Sequence, residues 1–216
     1  MKPYSLKDAR RVYSYCGKSP NMCRIANHLT YFCSENFLRK KAVDRLNLKA
    51  GDRVLELACG IGNNFGYLME KVGSKGEITG VDYVDEMLNA AKKESIKKAY
   101  KNIVLIRKDA AKISFPRNYF DGVISTIGLS AIPDHEGALK RAVYSLKNGK
   151  RIVILDGKMF EGFYKILNPL MGWIRWSESW DSSKDIINDA KALLRDVEIE
   201  KFFGGSFYIL TGIKRQ

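Results

Sequence analysis

The residues best placed to do chemistry stand in one run, Glu56-Leu57-Ala58-Cys59-Gly60-Ile61-Gly62-Asn63-Asn64, directly after the apolar pair Val54-Leu55. An apolar strand that breaks into glycines and reopens as a helix brings its backbone close to a ligand, because Gly60 and Gly62 can turn tightly with no side chain in the way. Twenty residues after Gly62, Asp82 closes a second β-rich run, where a carboxylate can accept both hydroxyl protons of a ribose. A nucleotide is the first expectation. A dinucleotide fits poorly, since Glu56 would set a carboxylate near the pyrophosphate and the third glycine is displaced to Gly66. S-adenosyl-L-methionine fits better: it has no phosphate, carries an ammonium and a sulfonium, and keeps the adenosine that Asp82 would hold.

The elements that must position these residues follow from periodicity. Strands are expected at 53–58, 77–82, 103–109, 120–127 and 151–156, with helices at about 64–72, 84–98 and 135–146 between them. That alternation is the signature of βαβ units and a parallel sheet. A helix at about 184–194 then leads into two β-rich runs, 197–203 and 207–213, joined at Gly204-Gly205, which reads as a hairpin added at the sheet edge. Two segments fall outside the alternation. The first fifty residues look helical and hold eleven Lys or Arg against three acids, so most of the chain's net charge of +13 sits there. The other is 159–180, an aromatic stretch around Pro169 that contains all three tryptophans.

With the order of these elements in place, the run from Glu56 to Gly62 resembles the first motif of class I S-adenosylmethionine-dependent methyltransferases. Gly80-Val81-Asp82-Tyr83-Val84-Asp85-Glu86-Met87-Leu88 resembles the element that follows it. Similar correspondence continues through Arg107-Lys108-Asp109-Ala110, Phe120-Asp121-Gly122-Val123-Ile124-Ser125 and Leu146-Lys147-Asn148-Gly149-Lys150-Arg151. A joint match in the right order is far more specific than a glycine turn; the alternative is a Rossmann-like domain that binds a nucleotide or has lost catalysis. The resemblance implies an α/β, Rossmann-like fold with a seven-stranded, mostly parallel sheet whose last strand is antiparallel. Residues 1–48 would be a basic helical extension of the same domain, and residues 49–216 the methyltransferase domain carrying the aromatic insertion. It also implies that Glu56 helps to orient the methionine ammonium while Ala58, Gly60 and Gly62 give backbone contacts. Asp82 would bind the ribose, Tyr83 and Met87 would flank the adenine, and Asp109 with the Ala110 backbone would recognise its amino edge. Thr126 and Ile127 would line the methionine side. For Tyr83 and Met87, ordinary packing is the competing role.

Methyl transfer is an in-line displacement, so the protein mainly holds the acceptor close and aligned, and a base is needed only where the acceptor must lose a proton. His135, just past the fourth strand, is the candidate base; a structural role at a helix start beside Asp134 and Glu136 is favoured over it. His28 reads as a packing or surface residue. Cys16, Cys23, His28 and Cys33 are separated by six, four and four residues, a spacing that matches no short zinc pattern, so no metal is expected. Free thiols are expected at these cysteines and at Cys59, because no secretion signal precedes them.

The flanks bear on the acceptor. Lys7, Arg10, Arg11, Lys18, Arg24, Arg39, Lys40 and Lys41 are interleaved with Tyr4, Tyr13, Tyr15, Tyr31 and Phe32, a composition suited to an interfacial helix on anionic lipid. No stretch of about 18 apolar residues occurs and the amino terminus has no apolar core, so a cytoplasmic protein is expected, peripheral at the inner membrane face. Arg39-Lys40-Lys41-Ala42-Val43, ahead of Leu48-Lys49-Ala50-Gly51-Asp52-Arg53-Val54-Leu55 and with the closing Gly205-Ser206-Phe207-Tyr208-Ile209-Leu210-Thr211-Gly212, is similar to the ubiquinone/menaquinone C-methyltransferase and bacterial phospholipid N-methyltransferase group. The acceptor this implies is lipidic: first a phospholipid amine of the phosphatidylethanolamine type, then a prenylated quinone precursor methylated at carbon. Charge favours nucleic-acid methylation, but Ser125-Thr126-Ile127-Gly128 stands where an Asn-Pro-Pro-Tyr type motif would be. A non-enzymatic basic lipid- or RNA-binding module is the reading from another class.

Overall fold

Strand β1 (Arg53–Leu57) runs between β2 (Glu77–Asp82) and β4 (Phe120–Thr126), and this placement decides where a site can form. The computed structural model describes residues 5–30, 34–169 and 184–215. With β3 (Ile103–Arg107), β5 (Leu146–Gly157), β6 (Leu194–Phe202) and β7 (Phe207–Lys214), the strands form one seven-stranded sheet in the order β3-β2-β1-β4-β5-β7-β6. β1 to β5 are parallel, while β7 runs antiparallel to both β5 and β6. The expected hairpin is present, but its second strand pairs inward with β5 and its first forms the edge. The chain order reverses between β1 and β4, so a crevice opens at their carboxyl ends. Register sets Leu57 beside Val81 on one side and Ser125 on the other.

The two faces of the sheet follow the period of two that strands impose. Leu55, Leu57, Val123, Ile152 and Ile154 share one core with Ala138, Leu139 and Ala142 of α6 (His135–Ser145) and with Ile186 and Ala190 of α7 (Ile186–Leu193). Val54, Ile124, Val153 and Leu155 face the other way, onto α3 (Glu35–Arg45), α4 (Phe65–Val72) and α5 (Asp85–Lys97). Within α3, Leu38, Ala42 and Val43 and the following Leu46 recur at helical spacing and are buried there.

Ahead of α3, α1 (Leu6–Lys18) starts at a capping box in which Ser5 and Asp8 bond reciprocally, and Ser19 and Pro20 turn the chain into α2 (Pro20–Thr30). α1 lies so close on α5 that a Cβ at Gly17 would come within 2.3 Å of the Glu86 carbonyl carbon. The turn between the helices brings Cys16 and Cys23 together, with Cα atoms 5.1 Å apart, in a disulfide. This corrects the expectation of free thiols at those two positions: a helical hairpin pairs cysteines that no short-motif spacing flags. Cys59 is free and buried. Cys33, Tyr4, Tyr31, Phe32 and the tryptophans of the insertion lie outside the described residues. Within the described part of that stretch, Phe160 is buried, whereas Phe163, Tyr164 and Ile166 are exposed on a short 3-10 helix (Gly162–Leu167).

Leu38 has no exposed surface. Leu38→Ala should lower unfolding free energy in a urea titration by about 2–5 kcal/mol; a loss of a few tenths would mean that α3 is not part of the core.

Candidate active site

Backbone conformation builds the first part of the site. β1 ends one residue short of its expected limit because Ala58 turns into the left-handed region at φ 50°, followed by Gly60 at 56° and Gly62 at 81°. At the end of β4, Ile127 does the same at φ 57°. Such residues persist only where their surroundings hold them, and two at adjacent strand ends mark a functional edge. The two glycines have different reasons. A Cβ on Gly62 would meet the Phe65 ring at 2.6 Å, whereas one on Gly60 would find only Met87 Cε at 4.0 Å, so Gly60 leaves room that a side chain would fill.

That room belongs to a cavity of about 340 Å³, within the range of small-molecule sites. Nine of the expected residues line it: Ala58, Gly60, Asp82, Tyr83, Met87, Asp109, Ala110, Thr126 and Ile127. The Asp82 carboxylate accepts from the Gly60 N–H at 2.8 Å and the Val84 N–H at 3.0 Å, which fixes it against the turn. An ionised carboxylate has about four acceptor positions, so capacity for two hydroxyls remains. Burial raises its pKa, partly offset by these backbone bonds. Met87 is buried against Ile61 and Val84, so packing and cavity lining coincide in one side chain. Asp109 accepts from the Ala111 N–H at 3.0 Å, which presents the adjacent Ala110 to the cavity.

Glu56 and Gly62 are not in the wall. Glu56 lies one layer behind it, on the α3–α4 face, with Oε1 accepting from Asn64 Nδ2 at 2.6 Å and Oε2 buried without a partner. Burial, above all, raises its pKa from 4.5 to about 7. The same Asn64 nitrogen donates to Thr126 Oγ1 at 2.7 Å, and Asn64 Oδ1 accepts from Arg39 at 3.3 Å. Arg39, expected among surface cations, is buried instead: it pairs with Glu35 at 2.7 Å, bonds to Thr126 and lines the cavity. A signal for it was available, because Arg39, Ala42, Val43 and Leu46 stand at i, i+3, i+4 and i+7, on the buried stripe of α3. Its guanidinium is thus held by Glu35, Asn64 and Thr126 at the edge of the cavity. The room at Gly60 and the acceptor at Asp82 fit the adenosine end of S-adenosyl-L-methionine.

His135 goes elsewhere. Its Nε2 lies 2.8 Å from Asp189 Oδ2 on α7, and Asp134 caps α6 by accepting from Gly137 N–H at 2.8 Å, so the structure joins His135 to a helix pair and not to the cavity. His135, Glu136 and Asp189 offer ligand atoms within 4.8 Å of one another, but Glu136 also pairs with Lys140. Periodicity and motif could not show that α1 roofs the cavity: Leu6, Ala9, Val12, Tyr13 and Cys16 all line it. Asp156, at the end of β5, lines the side away from Asp82.

Comparison with known proteins agrees with this geometry. The pattern of the ubiE/COQ5 methyltransferase family matches residues 8–172. A demethylmenaquinone methyltransferase of Staphylococcus epidermidis is 27% identical over 210 residues, covering 87% of this chain and 86% of that protein. The crystal structure of a SAM-dependent methyltransferase from Aquifex aeolicus superimposes with a TM-score of 0.60 at 20% identity, covering 82% of this chain and 89% of that one. A phosphoethanolamine N-methyltransferase 2 of Haemonchus contortus, in complex with S-adenosyl-L-methionine, gives 0.65 at 18% identity over 78% of this chain and 50% of its own.

Glu56 sets a pH dependence whose sign is fixed. Between pH 4.5 and about 7 the folded chain keeps a proton that the unfolded chain has released, so stability falls as pH rises through that window. Glu56→Gln should therefore gain on the parent chain by on the order of 2 kcal/mol from pH 5 to pH 7.5 in parallel thermal melts; a constant difference would mean that Glu56 is ionised throughout. In calorimetric titration with S-adenosylhomocysteine, Asp82→Ala and Arg39→Met should each weaken binding by roughly tenfold or more. Unchanged affinity in Asp82→Ala would place the ribose elsewhere.

Proposed function

The chain belongs to the ubiE/COQ5 methyltransferase family, and from that premise we propose that it methylates a ring carbon of a prenylated quinol of the demethylmenaquinone kind. It is an S-adenosylmethionine-dependent methyltransferase; the cofactor supplies a methyl group on a cationic sulfur. The observation that carries the acceptor reading is the likeness, along most of both chains, to a relative that bears this name.

The cavity supports it. Opposite Asp82 the wall is formed by Ile132, Pro133 and Phe207, with Asp156 as the buried carboxylate among them. Apolar walls with one placed polar group suit a flat ring with a hydroxyl edge. Attack by a ring carbon requires the neighbouring hydroxyl to release its proton, and Asp156 is the group placed to take it. Asp156 is held by Ser130 N–H at 2.9 Å, Ser130 Oγ at 2.7 Å and Gly157 N–H at 2.8 Å. For a phospholipid amine, the first expectation from the sequence, the comparison adds a phosphoethanolamine N-methyltransferase at 18% identity, a likeness that speaks to fold alone.

The proposal includes peripheral contact with an anionic membrane, where a prenylated acceptor resides. Tyr15, Met22 and Ile25 are 64%, 58% and 58% exposed on α1 and α2, beside exposed Arg11 and Lys18. Apolar side chains among cations suit a headgroup layer. Among the described residues no helix is long and apolar enough to cross a membrane.

The test is methyl transfer from radiolabelled S-adenosylmethionine to anionic vesicles that contain either a ring-demethylated prenyl naphthoquinol or phosphatidylethanolamine. Label in the extracted quinol is expected. Label in the amine lipid, with the quinol unmethylated, would overturn the reading.

A further inference from the structure

We propose that the Cys16–Cys23 disulfide is a reversible thiol–disulfide exchange site that sets how fast the cofactor cavity releases its occupant. Both cysteines line the cavity. Cys16, with Tyr13, packs against Ile61, Val84 and Met87, the apolar group between the glycine turn and the start of α5. The bond therefore joins the roof of the site to α2, not two remote surface points.

The roof is seated in two ways. α1 touches α5 directly, with Gly17 against the Glu86 backbone and Arg10 paired with Asp85 at 3.4 Å. α2 reaches α5 through Arg24 and Glu94 at 3.7 Å. Leu6, Val12 and Tyr13 form part of the cavity wall, so any displacement of α1 opens that wall. With the disulfide intact, the last turn of α1 opens only together with α2, and the cross-link lowers the entropy of the opened state. With the bond reduced, that turn frays alone.

The chemistry needs a low-molecular-weight thiol couple and nothing else. A dithiol attacks Sγ of Cys16, the more accessible of the two, and Cys23 leaves as a thiolate that takes up a proton. The second thiol of the reagent resolves the mixed disulfide, leaving two protein thiols and a cyclic disulfide. Oxidised glutathione reverses the process and departs as two glutathione thiols.

The experiment uses the full chain in two preparations, one treated with oxidised glutathione and one with excess dithiothreitol, each desalted anaerobically. Thiol counting establishes the redox state, and displacement of labelled S-adenosylhomocysteine by unlabelled ligand gives the release rate. Release should be about threefold or more faster from the reduced chain. Cys16→Ser should release at the fast rate after either treatment, and the double variant Cys16→Ala/Cys23→Ala serves the same purpose if the serine variant does not fold. Equal rates in the two wild-type preparations would overturn the proposal. So would a cysteine variant whose rate still follows the treatment, or a pair that oxidised glutathione leaves reduced.

Discussion

Asn64 is fully buried, and both ends of its amide are in use. Its nitrogen donates to Glu56 on β1 and to Thr126 at the end of β4, while its oxygen accepts from Arg39 on α3. It also stands at the start of α4, directly behind the glycine turn. One side chain thus joins two strands and two helices at the point where the sheet order reverses. No bulk water is there to replace a lost partner, and each abandoned buried group would cost about 1–3 kcal/mol. The turn that shapes the cavity is consequently not free to move by itself. Arg39 can be buried only because Glu35 neutralises it, and Glu56 keeps an unmatched oxygen because the Asn64 amide is already committed. The network that holds the turn thus also fixes Arg39 and Thr126 in the cavity wall.

The basic amino terminus has a structural use besides any partner. Arg10 and Arg24 reach acids on α5, and Lys41 and Arg45 reach Glu200 on β6. Exposed pairs of this kind contribute at most about 1 kcal/mol each, so they orient α1, α2 and α3 more than they stabilise them. Pairing with acids elsewhere leaves the overall +13 unchanged. The long-range field that would attract an anionic surface therefore survives, while the number of unengaged cations on the cap falls.

The sheet was legible because burial on both faces leaves β-rich runs between glycine and charged turns, and a period of two or of 3.6 residues can be read from residue order alone. Limits were read to within a few residues, except for β5. That strand starts at Leu146, five residues before its expected start, because the end of α6 passes directly into pairing between Leu146 and Phe120. Of the nine expected residues that line the cavity, most stand at or just past strand ends, and Met87 stands in the first turn of α5. Glu56 belonged to the motif but not to the wall, since strand alternation turns it to the α3 side behind Asn64. Arg39, the disulfide and the α1 roof were not legible in the same way. The disulfide and the roof depend on how the first helices dock, whereas Arg39 could be read only from its place on the apolar stripe with Ala42, Val43 and Leu46, against the surface role that its charge suggests.

The division of labour between sheet and cap follows from what methyl transfer asks of a protein. The displacement needs no covalent nucleophile, so rate depends on alignment and on exclusion of water. An open sheet edge supplies one floor, at the ends of β1, β2, β4 and β5, and leaves the crevice exposed to solvent. The roof must come from segments outside the alternating core, and here α1 and α2 supply it. The roof is held to α5 by the close contact at Gly17, by Tyr13 and Cys16 against Val84 and Met87, and by exposed ion pairs, whereas the floor is tied together by the buried Asn64 network. The cap thus completes a cavity whose floor is the sheet, and it carries basic residues and the cysteine pair.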